Sequence, residues 1–291
     1  MTPARVMQAV HPQRVRVVAW PLLYKAAAAR KIRDPDMNPA PQKIALVTGA
    51  ARRLGRAIAM GMAKDGWDVV VHYRASREEA HDTVRDIEQL GRRAAAIDCD
   101  LADESSTKIL LGRANALLGP ISCIVNNASL FEFDDATSFN TASLNAHMQA
   151  NLAAPLILAQ SLHAHTPANQ QAVVINLLDQ KLFNLNPDFL SYTLSKAGLH
   201  TATTLLAQAL APKVRVVGVA PGLTLLSGDQ TEAGFSKAHQ QTPLGKSSTP
   251  NDIAAAVCYL ARAQAVTGTV LVVDGGQHLI PTQRDVMFLA T

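Results

Sequence analysis

The sequence predicts an α/β domain over residues 43–291, built on a doubly wound, all-parallel sheet of seven strands with helices on both faces. Three observations predict it. Seven short apolar runs alternate with stretches of helical character, the pattern of a sheet buried on both sides. The first run ends in a glycine-punctuated turn that leads straight into a helix. Finally, 291 residues at 48% hydrophobic content can bury one large core, which excludes disorder as the main state.

Charge is unevenly placed. The formal net charge is +4, yet seven Lys/Arg and two acids fall within residues 1–36, leaving 20 basic against 21 acidic residues over 37–291. The body is near neutral, so its charge points to no nucleic-acid partner. Residues 1–42 carry Pro3, Pro12, Pro21 and Pro35, no sustained period and no acid before Asp34. They are expected to be a basic disordered extension, or the product of an upstream start with Met37 opening the natural chain. A targeting segment and a nucleic-acid or membrane-surface arm are the alternatives. No run reaches the roughly 18 apolar residues of a membrane span, so no membrane partner is expected. Cys99, Cys123 and Cys258 are odd in number and far apart, which fits a reducing, cytoplasmic compartment better than a disulfide framework. None of the histidines stands at metal-ligand spacing with other ligands, so no metal is expected.

The elements follow in order. Ile-Ala-Leu-Val at 44–47 is the first strand, and the Arg/Leu/Ala-rich stretch after its turn is a helix ending at Gly66. Strand two, 68–71, precedes a polar amphipathic helix at 77–90. Strand three, 94–98, a helix at 104–118 and strand four, 121–126, come next. A long helix at 141–163, with a bend expected at Pro155, leads to strand five, 172–178. A helix at 189–211 leads to strand six, 214–219. Residues 222–249 carry Gly228, Gly234 and Gly245 without a periodic pattern, so a long irregular loop is expected, of the kind that serves as a lid or binding element. The last helix opens on Thr249-Pro250-Asn251-Asp252: a hydroxyl cap, proline at the first helical position and an acid in the first turn. Strand seven, 269–273, closes the series. Ligands of such sheets sit at the carboxyl ends of the strands, beside the topological switch point.

Thr48-Gly49-Ala50-Ala51-Arg52-Arg53-Leu54-Gly55 joins the first strand to its helix. Gly49 suits the tight turn and Gly55 a close helix–strand contact. The helix N-terminus offers N–H groups and a positive dipole end to a pyrophosphate. A dinucleotide site is the reading, an ordinary βα turn its plain alternative. After the second strand an NAD site usually places a carboxylate, but here the chain reads His72-Tyr73-Arg74-Ala75-Ser76, with no acid before Glu78. A guanidinium beside a hydroxyl suits a 2′-phosphate, so NADPH is the expected cofactor. Tyr192 and Lys196 stand four apart on one helical face. There a cation favours the phenolate of a group whose ordinary pKa is about 10.

With Asn126-Asn127-Ala128-Ser129 ending the fourth strand and Pro221-Gly222 after the sixth, the chain resembles the short-chain dehydrogenase/reductase family, of Rossmann fold, over about residues 43–281. The resemblance implies a catalytic Tyr192 and Lys196, joined by Asn151 on the long helix and by a serine thirteen positions before the tyrosine. That position is Asp179. An ionised carboxylate would repel the alkoxide that forms when a carbonyl takes hydride. A carboxyl suits a C=N bond whose nitrogen must gain a proton, or a substrate with amino groups. This departure, with Arg53 at the usual middle glycine, is similar to the pteridine reductase branch. That branch's patterns are matched at Thr48-Gly49…Arg53…Gly55, at His72-Tyr73…Ser76, at 126–131 with Phe131, at Asp179, Tyr192 and Lys196, and at 221–226 with Thr224 for serine.

The resemblance implies NADPH extended across the strand ends. Gly49, Arg53, Leu54 and Gly55 would hold it, with Tyr73, Arg74 and Ser76 after the second strand. Asp100 and Leu101 would flank the adenine. Asn127, Ala128 and Ser129, then Lys196, Pro221, Gly222 and Thr224, would line the rest of its path. A small-molecule pterin would stack on Phe131, with Arg53, Asp179, Tyr192 and Leu226 completing its pocket. Asp179 and Tyr192 would supply the proton while Lys196 lowers the Tyr192 pKa. Plain alternatives are core packing for Phe131, a structural carboxylate for Asp179 and a helix brace for Asn151. A homotetramer paired through the 141–163 and 189–211 helices is expected of the family. Same-fold and other-class alternatives are a carbonyl reductase for 3-oxoacyl thioesters or sugars, and an idle NADPH-binding regulator.

Overall fold

The apolar runs become strands β1 (Ile44–Val47), β2 (Asp68–Tyr73), β3 (Ala94–Asp98), β4 (Cys123–Asn126), β5 (Ala172–Leu177), β6 (Val214–Pro221) and β7 (Val270–Val273). All pair in parallel, in the order β3-β2-β1-β4-β5-β6-β7. The computed structural model describes residues 43–226, 231–240 and 242–289; the extension expected at 1–42 lies outside them. The connecting helices are α1 (Arg53–Lys64), α2 (Arg77–Gln89), α3 (Glu104–Leu118), α4 (Thr141–Met148), α5 (Ala154–His165), α6 (Leu190–Leu210), α7 (Glu232–Gln240) and α8 (Pro250–Arg262), with a short α9 (Val286–Leu289) after the last strand.

Strand side chains alternate between two cores because successive residues point to opposite faces. Ala45, Val47, Val69, Val71, Val125 and Ile175 pack with Ile58 and Met62 of α1 and Ile253 and Val257 of α8. Ile44, Leu46, Val70, Ile124 and Val174 pack with Leu110 and Leu111 of α3 and Leu158 and Leu162 of α5. The Thr249 cap of α8 is reciprocal: its hydroxyl accepts from the Asp252 N–H at 3.3 Å, and the Asp252 carboxylate accepts from the Thr249 N–H at 2.9 Å, the arrangement of a capping box.

Three expectations need correction. The long helix is not simply bent at Pro155: its interruption is a π-helical turn, Gln149–Ala153, immediately before that proline. Pro155 follows this turn directly, in helical backbone that runs on without a break, and cannot donate to the carbonyl of Asn151 four residues before it. The stretch 222–249 is not wholly irregular, since α7 lies within it. The chain after β7 also builds a short helix, α9, beyond the last predicted strand.

Beneath the strand ends runs a buried polar line. Asn126 Nδ2 donates to Asn176 Oδ1 at 2.8 Å, and Asn176 Nδ2 donates to Thr203 Oγ1 of α6 at 3.0 Å. It ties β4, β5 and α6 together. Thr203→Val keeps the shape but leaves a buried amide N–H without its acceptor, so stability should fall by about 1–3 kcal/mol. Urea denaturation should show a lower midpoint at unchanged slope; an unchanged midpoint refutes the role.

Candidate active site

β1 has β2 on one side and β4 on the other, so the chain reverses direction across the sheet here and the connections from β1 and β4 leave toward opposite sides. Thr48 pins the two ends together. Its Oγ1 accepts from the Asn127 and Ala128 N–H groups at 2.9 and 3.0 Å, and Asn127 Nδ2 donates to Thr48 O at 2.9 Å. Gly49 takes φ +62°, and a Cβ on Gly55 would lie 2.1 Å from Gly49 O. Both glycines are therefore required, for backbone conformation and for close approach respectively. α1 begins there without a side-chain cap and without an acid in its first turn, which leaves its N–H groups and dipole to an anion.

His72, noted in the sequence only as part of a pattern, holds this turn. Its Nδ1 accepts from the Gly49 N–H at 3.0 Å, so Nε2 carries the proton and donates to Cys99 O at 3.1 Å. Burial lowers its pKa to about 4, which keeps the ring neutral and the tautomer fixed.

Tyr192 and Lys196 lie one turn apart on α6, 7% and 3% exposed. α6 is positioned by Asp134, whose carboxylate accepts from the Ser191 N–H at 2.9 Å and from its hydroxyl. Tyr192 Oη donates to Asp179 Oδ2 at 2.8 Å, Asp179 Oδ1 accepts from the Lys181 N–H at 2.8 Å, and Lys196 Nζ donates to Leu177 O at 2.7 Å. Burial pushes the Asp179 carboxyl above its usual range, against the hydrogen bonds from Lys181 and Tyr192. Burial lowers Lys196 to about 8, opposed by the Asp179 charge. The expectation that Lys196 lowers the Tyr192 pKa is corrected. Burial first, then the Asp179 charge and hydrogen bond, push the phenol well above its ordinary value. Tyr192 is thus a protonated donor rather than a phenolate.

These groups border a cavity of about 360 Å³ that also takes in Arg53, Leu54, Asn127, Ser129, Phe131, Pro221, Gly222 and Thr224. Phe131 is 41% exposed, stacks on Phe189 with centroids 4.3 Å apart and meets Tyr192 edge-on at 4.7 Å; it forms a wall and is not core. Thr224 Oγ1 donates to Gly222 O at 2.8 Å and lies 2.8 Å from Ser248 Oγ.

Other expected residues fall elsewhere. Leu226 does not line the cavity; its carbonyl accepts from Arg53 at 2.6 Å, and Leu223 and Leu225 form that wall instead. Leu101 is buried in the core with Leu110 and Leu111, so its side chain is not presented to the crevice. Asp100 is exposed at the end of β3, as Arg74 is after β2, with Tyr73 and Ser76 half-buried. Ala128 touches the turn through its backbone. Asn151, expected to be catalytic or a helix brace, is fully hydrogen-bonded. Its Nδ2 donates to Leu130 O at 2.9 Å and Ser195 Oγ at 3.0 Å, while its Oδ1 accepts from the Leu130 N–H at 2.7 Å and the Ser129 hydroxyl at 3.2 Å. All four of its hydrogen-bonding positions are used.

Sequence reasoning missed Gln180, Gln277, Asp285, Val286 and Met287, which also line the cavity. Gln180 Oε1 is buried without a hydrogen-bond partner among the described residues. No motif marks these positions. Only the glutamine next to the out-of-pattern Asp179 carried a usable signal.

A fold and site of this kind are those of an α/β oxidoreductase. A protein-family model described as enoyl-(acyl carrier protein) reductase matches residues 49–278. The crystal structure of FolM alternative dihydrofolate reductase 1 from Brucella canis, complexed with NADP, superimposes with a TM-score of 0.77 at 37% identity, covering 81% of this chain and 94% of that one. The 3-oxoacyl-[acyl-carrier-protein] reductase FabG of Staphylococcus aureus is 30% identical over 81% of this chain and 98% of its own length. An uncharacterised oxidoreductase of Methylorubrum extorquens is 33% identical over 80% of this chain and 97% of its own. The chain belongs to the short-chain dehydrogenase/reductase family. No helix among the described residues is long and apolar enough to cross a membrane.

His72 gives a pH prediction. Its folded pKa of about 4 lies below the ordinary 6.5, so the unfolded chain binds the extra proton. Its contribution is whole above pH 6.5 and is lost as pH falls toward 4, by up to about 3 kcal/mol. His72→Gln can accept and donate likewise without titrating, so its urea midpoint should fall less over that range. Parallel midpoints in the two proteins would refute the assignment.

Proposed function

We propose that this chain is an NADPH-dependent pteridine reductase. It reduces dihydropterins of the biopterin and monapterin type to their tetrahydro forms, with dihydrofolate as a further substrate to be tested. The observation that carries the reading is the buried Asp179–Tyr192 pair: a carboxyl raised by burial, hydrogen-bonded to a phenol that keeps its proton. The glycine cradle and uncapped α1 N-terminus fit a dinucleotide. Gly49, Arg53, Leu54, Gly55, Asn127, Ser129, Lys196, Pro221, Gly222 and Thr224 would hold it, with Arg74 and Ser76 toward a 2′-phosphate. The Brucella protein's complex with NADP supports the same cofactor.

When bound, NADPH supplies hydride to the ring carbon of a C=N bond. Tyr192 and Asp179 then deliver a proton to the ring nitrogen, directly or through one water, so that one C–H and one N–H form as the double bond is lost. Lys196, whose pKa burial brings to about 8, would stabilise by its charge the anion left on the pair until solvent returns the proton. Phe131 offers a flat face to a planar heterocycle. Gln180 Oε1, lacking a donor, would accept a substrate N–H. Asn151 keeps Ser129 and Leu130 in place. The reading includes a cytoplasmic homotetramer.

The second reading, a carbonyl reductase for 3-oxoacyl thioesters, rests on the named FabG relatives and the family model. NADPH oxidation with dihydrobiopterin, dihydromonapterin, dihydrofolate and an acetoacetyl thioester separates the two. Pterin turnover is expected, and turnover of the thioester alone overturns the pteridine reading. Asp179→Ser should lower kcat for pterin by about 10²–10⁴-fold, the range of a lost general acid; full activity removes the carboxyl from the mechanism. Arg74→Ala should weaken NADPH but not NADH by about tenfold, read by titration of cofactor fluorescence.

A further inference from the structure

The family model stops at residue 278, yet Asp285, Val286 and Met287 line the cavity. Two ion pairs hold this segment to the loop after β5. Lys181 Nζ donates to Asp285 Oδ2 at 2.9 Å and to Asn186 Oδ1, with the two charged side chains 3% and 12% exposed. Asp188 accepts from Arg284 Nε at 2.9 and 3.0 Å and from the Asp285 N–H at 2.7 Å. Asp285 Oδ1 accepts from the Met287 N–H at 3.1 Å, which fixes the turn that carries Met287. Phe288 packs against Phe133 and Phe189, centroids 5.5 and 6.0 Å away, and Phe189 in turn backs Phe131. Lys181 also binds the catalytic centre, since its N–H is the one that Asp179 Oδ1 accepts.

We propose that residues 284–288 form the substrate-selecting wall of the cavity, and that Lys181 and Asp188 are the positioning residues that hold it there. The proposal rests on the pteridine reading for the class of substrate: an ion-paired wall of Val286 and Met287 beside Phe131 selects a compact flat ring and disfavours one with a bulky substituent. Lys181 acts by placing this wall, not by touching the reacting atoms.

The test compares steady-state kinetics of the full chain, Met287→Ala, and the double variant Lys181→Met/Asp285→Leu, which removes both charges and so leaves no orphan ion. Substrates are dihydrobiopterin and the bulkier dihydrofolate, with NADPH affinity read from cofactor fluorescence. Both variants should raise KM for dihydrobiopterin about tenfold with kcat reduced less. They should shift the dihydrofolate-to-dihydrobiopterin ratio of kcat/KM about tenfold toward dihydrofolate, at unchanged NADPH affinity. Uniform loss for both substrates, or no change in the ratio, overturns the proposal. Met287→Ala removes only a cavity-lining side chain and decides the matter if the double variant does not fold. If the wild type reduces thioesters and no pterin, the pteridine reading fails separately. The wall is then judged by the same ratio between acetoacetyl and longer 3-oxoacyl thioesters: a shift toward the longer chain upholds it, and a constant ratio overturns it.

Discussion

The site depends on how closely the ends of β1 and β4 are drawn together where the sheet reverses direction. Connections leave these two strands toward opposite sides, so neither crosses over their carboxyl ends. The Thr48 hydroxyl closes the gap by accepting two N–H groups of the β4 end. The glycines at 49 and 55 let α1 come down onto that junction, with no room for a Cβ at Gly55. His72 adds a third tie from β2 toward β3 through Cys99 O. The crevice is therefore a consequence of topology, and its depth is a consequence of side-chain size.

On the other side of the crevice, one physical term governs all three titratable groups. Burial is the largest cause of the shift at Asp179, Tyr192 and Lys196. It favours the neutral form of each, moving the acids up and the ammonium down. Mutual charge effects oppose this at Asp179 and Lys196 but do not reverse it. A phenol and a carboxyl drawn toward neutrality and hydrogen-bonded to each other, with an ammonium nearby, are suited to passing a proton, whereas a fixed charge would suit holding an ion.

The strands were legible because each is a short apolar run bounded by turn residues, and the α8 cap because its chemistry is local. Tyr192, Lys196 and Asp179 were legible from spacing on a helix and a strand end. The state of Tyr192 was not, because spacing reveals the nearby cation but not the loss of water around it. The hydrogen bonding of Asn151 was hidden for another reason. It lies in a π turn that the apolar pattern does not reveal, and its amide bonds to Leu130 and Ser195. Leu101 looked available beside a polar strand end, yet the core behind α3 took it. Nothing local marks Asp285, whose partner Lys181 stands about a hundred positions away.

A serine at position 179 would offer a hydroxyl to a developing oxyanion, and its environment could stay wet. A carboxyl at the same place works only if it is kept from ionising beside the reacting bond, and burial is the means. Residues 285–287 border the same cavity. The Lys181–Asp285 pair that anchors them contributes little net stability compared with an apolar contact of equal size. Its effect is one of position. The same residue whose N–H orients the Asp179 carboxyl also fastens the segment at the cavity's edge. The Asp179 carboxyl and the segment at 285–287 are thus tied to one lysine.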